Sequence, residues 1–599
     1  MGKRWRFQPH DEARIAFLEK AAEVPPVVAQ LLVGRSITDP AEAKSFLDIK
    51  LSGLRDPERL PGLPEAADRI HEAVQAKKRI IVYGDYDADG MTGASILIRC
   101  LKALNADVGS YVPNRMDEGY GLNDDALQRL ANQGAKVVIS VDCGIASVGP
   151  AETAKNLGLE LIITDHHEFA DRLPDAAAIV HPRLPGTNYP FHGLCGAGVA
   201  FKLAWGLCQR ASQSRKVNER LRNVLLSAVG LAAIGTVADV VPLVDENRVL
   251  VHQGLNCLKE YPLLGIEHLM KVTQLDKKPK LGSDDIGFML APRLNASGRL
   301  GQATLGVELL TTESQHRAEA LAEYIHQLND SRDSLERSIY LAANKQIKDN
   351  YDVETEPALV LAQAGWHPGV IGIVAGRLAE KYHRPVIMIA FDSLGVKPGT
   401  GSARSAGGLN LHEALQACTH HLLAHGGHAA AAGLKIEESK LDAFRTEFCE
   451  YAAETIPMEN RTAEILIHAE VPLTQLTLRT VKQIDSLAPF GAGNPRPVLS
   501  ASNVEIAGQP KKIGAGERHV SLKIKQQNLT LRAVAFGQAD WVDEWAQHEG
   551  PIDIAFHPVL NTYNGRISVE LQLVDWRQAQ SATAQQNHDT PARQSTAQP

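Results

Sequence analysis

Three carboxylates, Asp85, Asp87 and Asp89, stand at alternate positions between two glycines in Gly84-Asp85-Tyr86-Asp87-Ala88-Asp89-Gly90. Carboxylates this close repel one another unless a cation lies among them, so the spacing asks for a hard metal ion. Calcium loops of the EF-hand type begin the same way. Their twelfth position is acidic, however, whereas here it is Ile96, and Ile80-Ile81-Val82 ahead of the acids reads as a strand rather than a helix. Helix capping would account for Asp89 with Thr92 but not for all three acids. The same chemistry recurs in Asp142-Cys143-Gly144, in Asp165-His166-His167 and in Asp239 at the end of Gly235-Thr236-Val237-Ala238-Asp239. Imidazole mixed with carboxylate, without cysteine, suits Mn²⁺ or Mg²⁺ and argues against structural zinc. Two such ions roughly 3.5–4 Å apart activate water and stabilise a leaving oxygen, so the chemistry expected is hydrolysis at phosphorus.

Side chains so far apart in sequence meet only if strand ends bring them together. Arg79-Ile80-Ile81-Val82-Tyr83, Lys136-Val137-Val138-Ile139-Ser140-Val141 and Leu161-Ile162-Ile163-Thr164 each run directly into an acidic group, and Ala178-Ile179-Val180 is a fourth run of the same kind. Short apolar runs separated by helix-length segments predict buried parallel strands, and ligands collect beyond the carboxyl ends of such sheets. The layout expected is an N-terminal helical segment over residues 1–60, broken by Pro25, Pro26, Pro40, Pro57 and Pro61 and layered on a catalytic α/β domain over 61–312. Residues 313–350 lack Pro and Gly and carry Leu321, Ile325, Leu328, Leu335, Ile339 and Leu341 at helical spacing, predicting one long helix or two in tandem between two lobes. A second α/β domain is expected over 351–458. Period-two alternation over 459–577, with a turn at Asn564-Gly565, predicts a small β-barrel, and 578–599, rich in Gln, Ala, Ser and Thr, a disordered tail.

At 599 residues and 44% apolar the chain is too long for one core and holds several domains. No apolar stretch approaches the roughly 20 residues of a membrane span and no signal-peptide pattern opens the chain, so a cytoplasmic protein without a membrane is expected. Seven dispersed cysteines without a C-x-x-C pair predict reduced thiols. A net charge of −8 leaves nucleic acid open as a partner, because phosphate binding needs a basic face rather than a basic total. Three regions offer one. Gly426-Gly427-His428-Ala429-Ala430-Ala431-Ala432-Gly433 brings backbone N–H groups and an imidazole to an anion, and Gly401-Ser402-Ala403-Arg404-Ser405 offers hydroxyls and a guanidinium in a flexible loop. Lys511, Lys512, Arg518, Lys523, Lys525 and Arg532, with His519 and Phe536 as stacking surfaces, give the barrel a face for single strands.

In order and spacing, G-D-x-D-A-D-G, V-D-C-G, T-D-H-H and the later A-D resemble the DHH phosphoesterases, named for the triplet that stands here as Asp165-His166-His167. The resemblance implies that Asp87, Asp89, Asp142, His166 and Asp239 ligate two Mn²⁺ or Mg²⁺ ions, with Asp142 between them. It implies that Asp85, Asp165 and His167 orient ligands or contact the scissile phosphate. One departure is Tyr83, where some members place a metal-binding His, so the first ion is expected to be held by fewer protein groups. The 426–433 stretch resembles the G-G-H-x-x-A-x-G signature of the DHHA1 domain that accompanies DHH domains. The segments 194–198, 292–299, 366–378 and 489–495 resemble the single-strand-specific DNA exonucleases of this family, whose late β segment is an OB-fold. Among them Arg299 and Arg377 are carried over as phosphate contacts. The activity implied is 5′→3′ removal of 5′-mononucleotides from single-stranded DNA in recombination and repair, through a clamp too narrow for duplex. A single-strand-binding protein and a helicase are the implied partners. The competing readings are hydrolysis of oligoribonucleotides or cyclic dinucleotides by the same two lobes, and a non-catalytic DNA-binding scaffold that has lost its metal ligands.

Overall fold

Strands buried on both faces must be apolar at every position, and Ile80–Gly84 and Val137–Val141 are buried throughout. With Val108–Tyr111, Glu160–Thr164 and Ala178–Val180 they form a five-stranded parallel sheet in the order 108–111, 80–84, 137–141, 160–164, 178–180. Alternate residues serve opposite cores. Val82, Ile139, Val141 and Ile162 pack in the core that holds the helices Ala88–Ala103, Gly196–Ser212 and Glu219–Ala238. Tyr83, Val138, Leu161 and Ile163 join Leu127, Leu130, Ala151 and Ala154 of the helices Asp124–Asn132 and Val148–Asn156. The computed structural model describes residues 3–115, 118–563 and 565–579.

Contrary to the sequence expectation, one helix, Glu219–Ala238, is long and apolar enough by composition to cross a membrane. It is apolar because it is a core helix. Leu225, Val229, Leu231, Ala232, Ala233 and Ile234 are buried among neighbouring helices.

The helix Gln315–Asn350 is continuous over 36 residues and leads from the first sheet's helices to a second, five-stranded sheet. There Leu359–Ala364 and Val386–Phe391 pair in parallel, and Gly399–Arg404, Ala431–Ile436 and Leu422–Gly427 continue antiparallel. The 401–405 stretch is therefore no flexible loop. Gly399–Arg404 is an interior strand whose alternate residues Gly399, Gly401 and Ala403 are buried, and the small residues that suggested a loop let Leu434 and Phe391 pack over it.

The chain divides into two units, Ile49–Ala463 with Pro489–Pro495, and Met1–Asp48 with Glu464–Ala488 and Arg496–Pro599. In the second unit the strands Leu499–Ile506, Ile552–Tyr563, Arg566–Gln578, Leu529–Ala535 and His519–Gln526 pair in that order, and Glu505↔Lys525 and Ile506↔Ile524 join the last to the first. The sheet is thus a closed five-stranded barrel. Tyr563 pairs with Arg566 across the expected two-residue turn, of which Asn564 lies outside the described residues. The expected tail also lies outside them from residue 580 on, and residue 578 belongs to the last strand.

The first 48 residues belong to this unit instead of forming a layer with 49–60. Arg4–Phe7 is a strand parallel to Glu464–Ile467, Trp5 Nε1 donates to Asp575 Oδ2 at 2.7 Å, and the Arg577 guanidinium lies 4.4 Å over the Trp5 ring. Four residues of alternation were too short a signal against the surrounding helical segments.

Candidate active site

The parallel register sets Gly84, Val141, Thr164 and Val180 side by side. The ladder then runs one residue further, since Asp85 N donates to Val141 O, Asp142 N to Thr164 O and Asp165 N to Val180 O at 2.9–3.2 Å. Asp85, Asp142 and Asp165 therefore stand in one row at the carboxyl edge, where ligands gather in such sheets. Asp142 has φ +64, a conformation non-glycine residues seldom take and one that marks a functional constraint.

Three neighbouring segments make room for these acids. Asp87 caps the helix Ala88–Ala103 by accepting from Gly90 N at 3.0 Å. Asp89 is fully buried and accepts from Gly196 N and Ala197 N at 2.7 and 2.9 Å, where the positive end of the helix Gly196–Ser212 offsets its charge. A Cβ on Gly196 would lie 2.5 Å from Asp142 Oδ1, and one on Gly235 would lie 2.4 Å from Asp89 Oδ1. Both glycines let a carboxylate approach backbone. The segment 292–299 closes the acidic turn from the other side, with Asn295 Oδ1 accepting from Ala88 N at 2.8 Å. It comes after a π-helical turn, Ile286–Leu290, which accommodates Pro292 where an N–H is missing.

Two donor groups share Asp142. Asp85, Asp87 and Asp142 form one, and Asp89, His166 and Asp239 converge beside it, with His166 Nε2 3.1 Å from Asp142 Oδ1, 3.6 Å from Asp239 Oδ2 and 3.9 Å from Asp89 Oδ2. Asp85 Oδ1, Asp142 Oδ1 and His166 Nε2 are buried without a hydrogen-bond partner. Buried polar atoms demand partners, and this oxygen-rich donor set with one imidazole and no thiolate fits two Mn²⁺ or Mg²⁺ ions. Burial first, then the neighbouring carboxylates, push Asp85 and Asp142 well above the carboxylate range and Asp239 up to about 8, while burial lowers His166 to about 4. The cluster thus resists its own charge, which divalent cations would neutralise. Tyr83 takes no part. Its hydroxyl donates to Gly121 O at 2.9 Å on the other face of the sheet, and Asp85 supplies the first group instead.

Asp165 stands in neither donor group. It accepts from Ile145 N, His166 N and His167 N and lies 2.7 Å from His167 Nδ1. Burial alone would lower His167, but the Asp165 hydrogen bond and the surrounding carboxylates outweigh it and raise the imidazole to about 9. Tyr120, absent from the sequence reading, reaches both His167 Nδ1 and Asp142 O through its hydroxyl, at 3.2 and 3.1 Å.

Beside the acids lies a guanidinium cluster. Arg299 donates to Gly369 O at 3.1 Å, and burial followed by repulsion from Arg115, Arg332 and Arg404 lowers it to about 10. Arg404 donates to Ser402 Oγ at 3.1 Å and is lowered by burial and by Arg115. Arg115, over the Tyr86 ring at 4.9 Å, is the member that sequence reasoning missed, for it lies in no motif. Arg377 is turned elsewhere, to Glu336 at 2.5 Å and over Tyr340. The Ser405 hydroxyl is used by Leu409 O. Gly426 and Gly427 lie in an antiparallel ladder, and His428 closes its hairpin through Ala431 O near enough to Glu168 to help Arg183 lower that carboxylate. On the barrel, Lys511, Arg518 and Lys523 are exposed without a carboxylate partner among the described residues, whereas Lys512, Lys525 and Arg532 pair with Asp543, Glu505 and Glu570. Phe536 is exposed and meets His519 edge-on at 5.3 Å.

The DHH family, N-terminal domain, matches residues 79–234, the DHHA1 domain residues 355–454 and the RecJ OB domain residues 467–575. The chain is similar to the single-stranded-DNA-specific exonuclease RecJ of Bacillus subtilis, 38% identical over 96% of this chain and 70% of that protein. It is similar also to that of Escherichia coli, 32% identical over 92% of this chain and 95% of that protein. Among solved structures, RecJ from Thermus thermophilus in complex with Mn²⁺ has a TM-score of 0.79 at 32% identity over 96% of this chain and 80% of its own, and its complex with Mg²⁺ has 0.75 at 31% over 96% and 79%.

Proposed function

The chain belongs to the RecJ family of single-stranded-DNA-specific exonucleases, and on that basis we propose that it removes 5′-mononucleotides from the 5′ end of single-stranded DNA by metal-dependent hydrolysis. The observation that carries this reading is the guanidinium cluster beside the acidic centre. A terminal phosphate bears more charge than an internal diester, so Arg115, Arg299 and Arg404 with Ser402 select a strand end rather than any phosphate along the strand.

Asp85, Asp87 and Asp142 would hold one Mn²⁺ or Mg²⁺ and Asp89, His166 and Asp239, beside Asp142, the other. When bound, the ions supply Lewis acidity at phosphorus and a readily deprotonated water. His167, oriented by Asp165, donates to an anionic oxygen of the scissile phosphate. His428 and the Gly426–Gly427 backbone contact the strand from the second lobe. Lys511, Arg518 and Lys523 with Phe536 follow it on the barrel, by charge and stacking that need no sequence. Such a substrate suits a cytoplasmic enzyme of recombination and repair that works beside a helicase, which frees the strand, and a single-strand-binding protein, which keeps it open.

The test is a single-stranded DNA labelled at either end, incubated with Mn²⁺ beside duplex and an Asp142→Ala control. Immediate release of the 5′ label as mononucleotide, persistence of the 3′ label on shortening strands and an inactive control are expected. Survival of long strands while dinucleotides are cleaved would replace this reading with a short-oligonucleotide hydrolase.

A further inference from the structure

A second set of metal-ligating side chains lies in the second lobe and shares no residue with the acidic centre. Thr419–His421 is a single 3₁₀ turn between the helix Leu411–Ala417 and the strand Leu422–Gly427, and Glu447 projects from the helix Leu441–Thr455. Glu447 Oε2 lies 3.0 Å from His420 Nε2 and 2.8 Å from His421 Nε2, and the two imidazoles are 4.1 Å apart.

We propose that His420, His421 and Glu447 bind a Zn²⁺-type divalent cation. Two imidazole nitrogens and one carboxylate oxygen are a common protein ligand set for zinc, with the remaining position left to water, and the exposure of His420 leaves that side open. Donors about 2.1 Å from a tetrahedral ion stand about 3.4 Å from one another. The two N–O separations need open by about 0.4 and 0.6 Å to reach that spacing, within reach of small side-chain rotations. Mg²⁺ prefers an all-oxygen octahedral shell, so the two sites differ in the ion they select. Occupancy would staple the turn to the helix Leu441–Thr455. The strand that leaves this turn is the edge of its sheet, mostly exposed and paired on one side only, and it leads through Gly426 and Gly427 to His428. A cation here would stiffen the hairpin that presents His428.

The full-length protein is dialysed against Zn²⁺ in excess Mg²⁺, and its zinc content above that taken up by the acidic centre is read as the difference from His420→Ala/His421→Ala and from Glu447→Gln. One more zinc per chain in the wild type, with unchanged hydrolysis of DNA in Mg²⁺ alone for both variants, is expected. Equal zinc in all three proteins overturns the proposal. Should the double variant misfold, the single variant His420→Gln, at the exposed ligand, decides. Co²⁺ added to the Mg²⁺-treated proteins gives the wild type a four-coordinate visible absorption that this variant and Glu447→Gln lack if the proposal holds, and the same spectrum in all of them if it does not.

Discussion

Asp239 keeps its proton up to about pH 8 and His167 to about 9, the first because burial and the carboxylates of Asp89 and Asp87 oppose its charge, the second because Asp165 favours it against burial. Both folded-state values exceed the unfolded ones of 3.8 and 6.5, so the stability they contribute is full at low pH and declines as pH rises through the folded values. His166 has the opposite sign, losing its contribution as pH falls from 6.5 through about 4. Between pH 6.5 and 9, therefore, the thermal midpoint of the chelator-treated protein is expected to fall steadily, and Mn²⁺ to remove most of the slope. A midpoint independent of pH over that window would refute the account of a charge-frustrated centre. For the guanidinium cluster, Arg115→Ala and Arg404→Ala each remove a charge-assisted contact of about 1.5–3 kcal/mol, or about 10- to 100-fold in kcat/KM on 5′-phosphorylated strands. A smaller effect on strands with a 5′-hydroxyl is expected from the same comparison. Asp85, Asp142 and Asp165 were legible in the sequence because strand and acid adjoin, and Asp239 because it ends an apolar helix, but Arg115 and Tyr120 were not, because they reach the site from a loop whose residues carry no pattern.

Glycines rather than charged residues set how closely the elements pack around the acids. Gly196→Ala and Gly235→Ala would drive a methyl group into Asp142 and Asp89 respectively, an overpacking that typically costs about 1–3 kcal/mol. Each variant is expected to stay folded by circular dichroism while Mn²⁺ titration of its activity shifts to higher concentration. Unchanged metal dependence would mean that the helix ends carrying these glycines move aside and leave the ligands alone. Four strands of the first parallel sheet and the long helix were readable from uninterrupted apolar runs and from the lack of Pro and Gly, whereas the edge strand Val108–Tyr111, with Gly and Ser in it, was not. The interior strand Gly399–Arg404 was not, since a strand of Gly, Ser, Thr and Ala owes its place to the neighbours packed over it rather than to its own propensity. The helix Glu219–Ala238 is apolar for the converse reason. Packing mostly among neighbouring helices makes a core helix as apolar as a membrane span.

Across the whole molecule, the barrel unit draws on both ends of the described chain. Deleting residues 1–10 removes Trp5 from Asp575 and Arg577 and the strand partner of Glu464–Ile467. The expected result is weaker binding of long single strands, measured by fluorescence anisotropy, with hydrolysis of short oligonucleotides little changed. An equal loss on both substrates would place the damage in the catalytic unit. Length and composition foretold several domains, but they could not foretell that the chain passes from one unit to the other four times, at 48–49, 463–464, 488–489 and 495–496. The last two passages enclose Pro489–Pro495, which lies within the barrel's stretch of sequence and yet packs in the catalytic unit. Its Ala492 O accepts from Leu243 N at 2.7 Å, four residues beyond Asp239, and its Phe490 O accepts from Ser283 Oγ at 2.6 Å. The barrel is in consequence no detachable cassette. A recombination event or an engineered truncation with a single breakpoint before it would also carry off a piece of the neighbouring fold close to a metal ligand, so lineages in which the barrel is lost or exchanged must rebuild the backbone support behind Asp239.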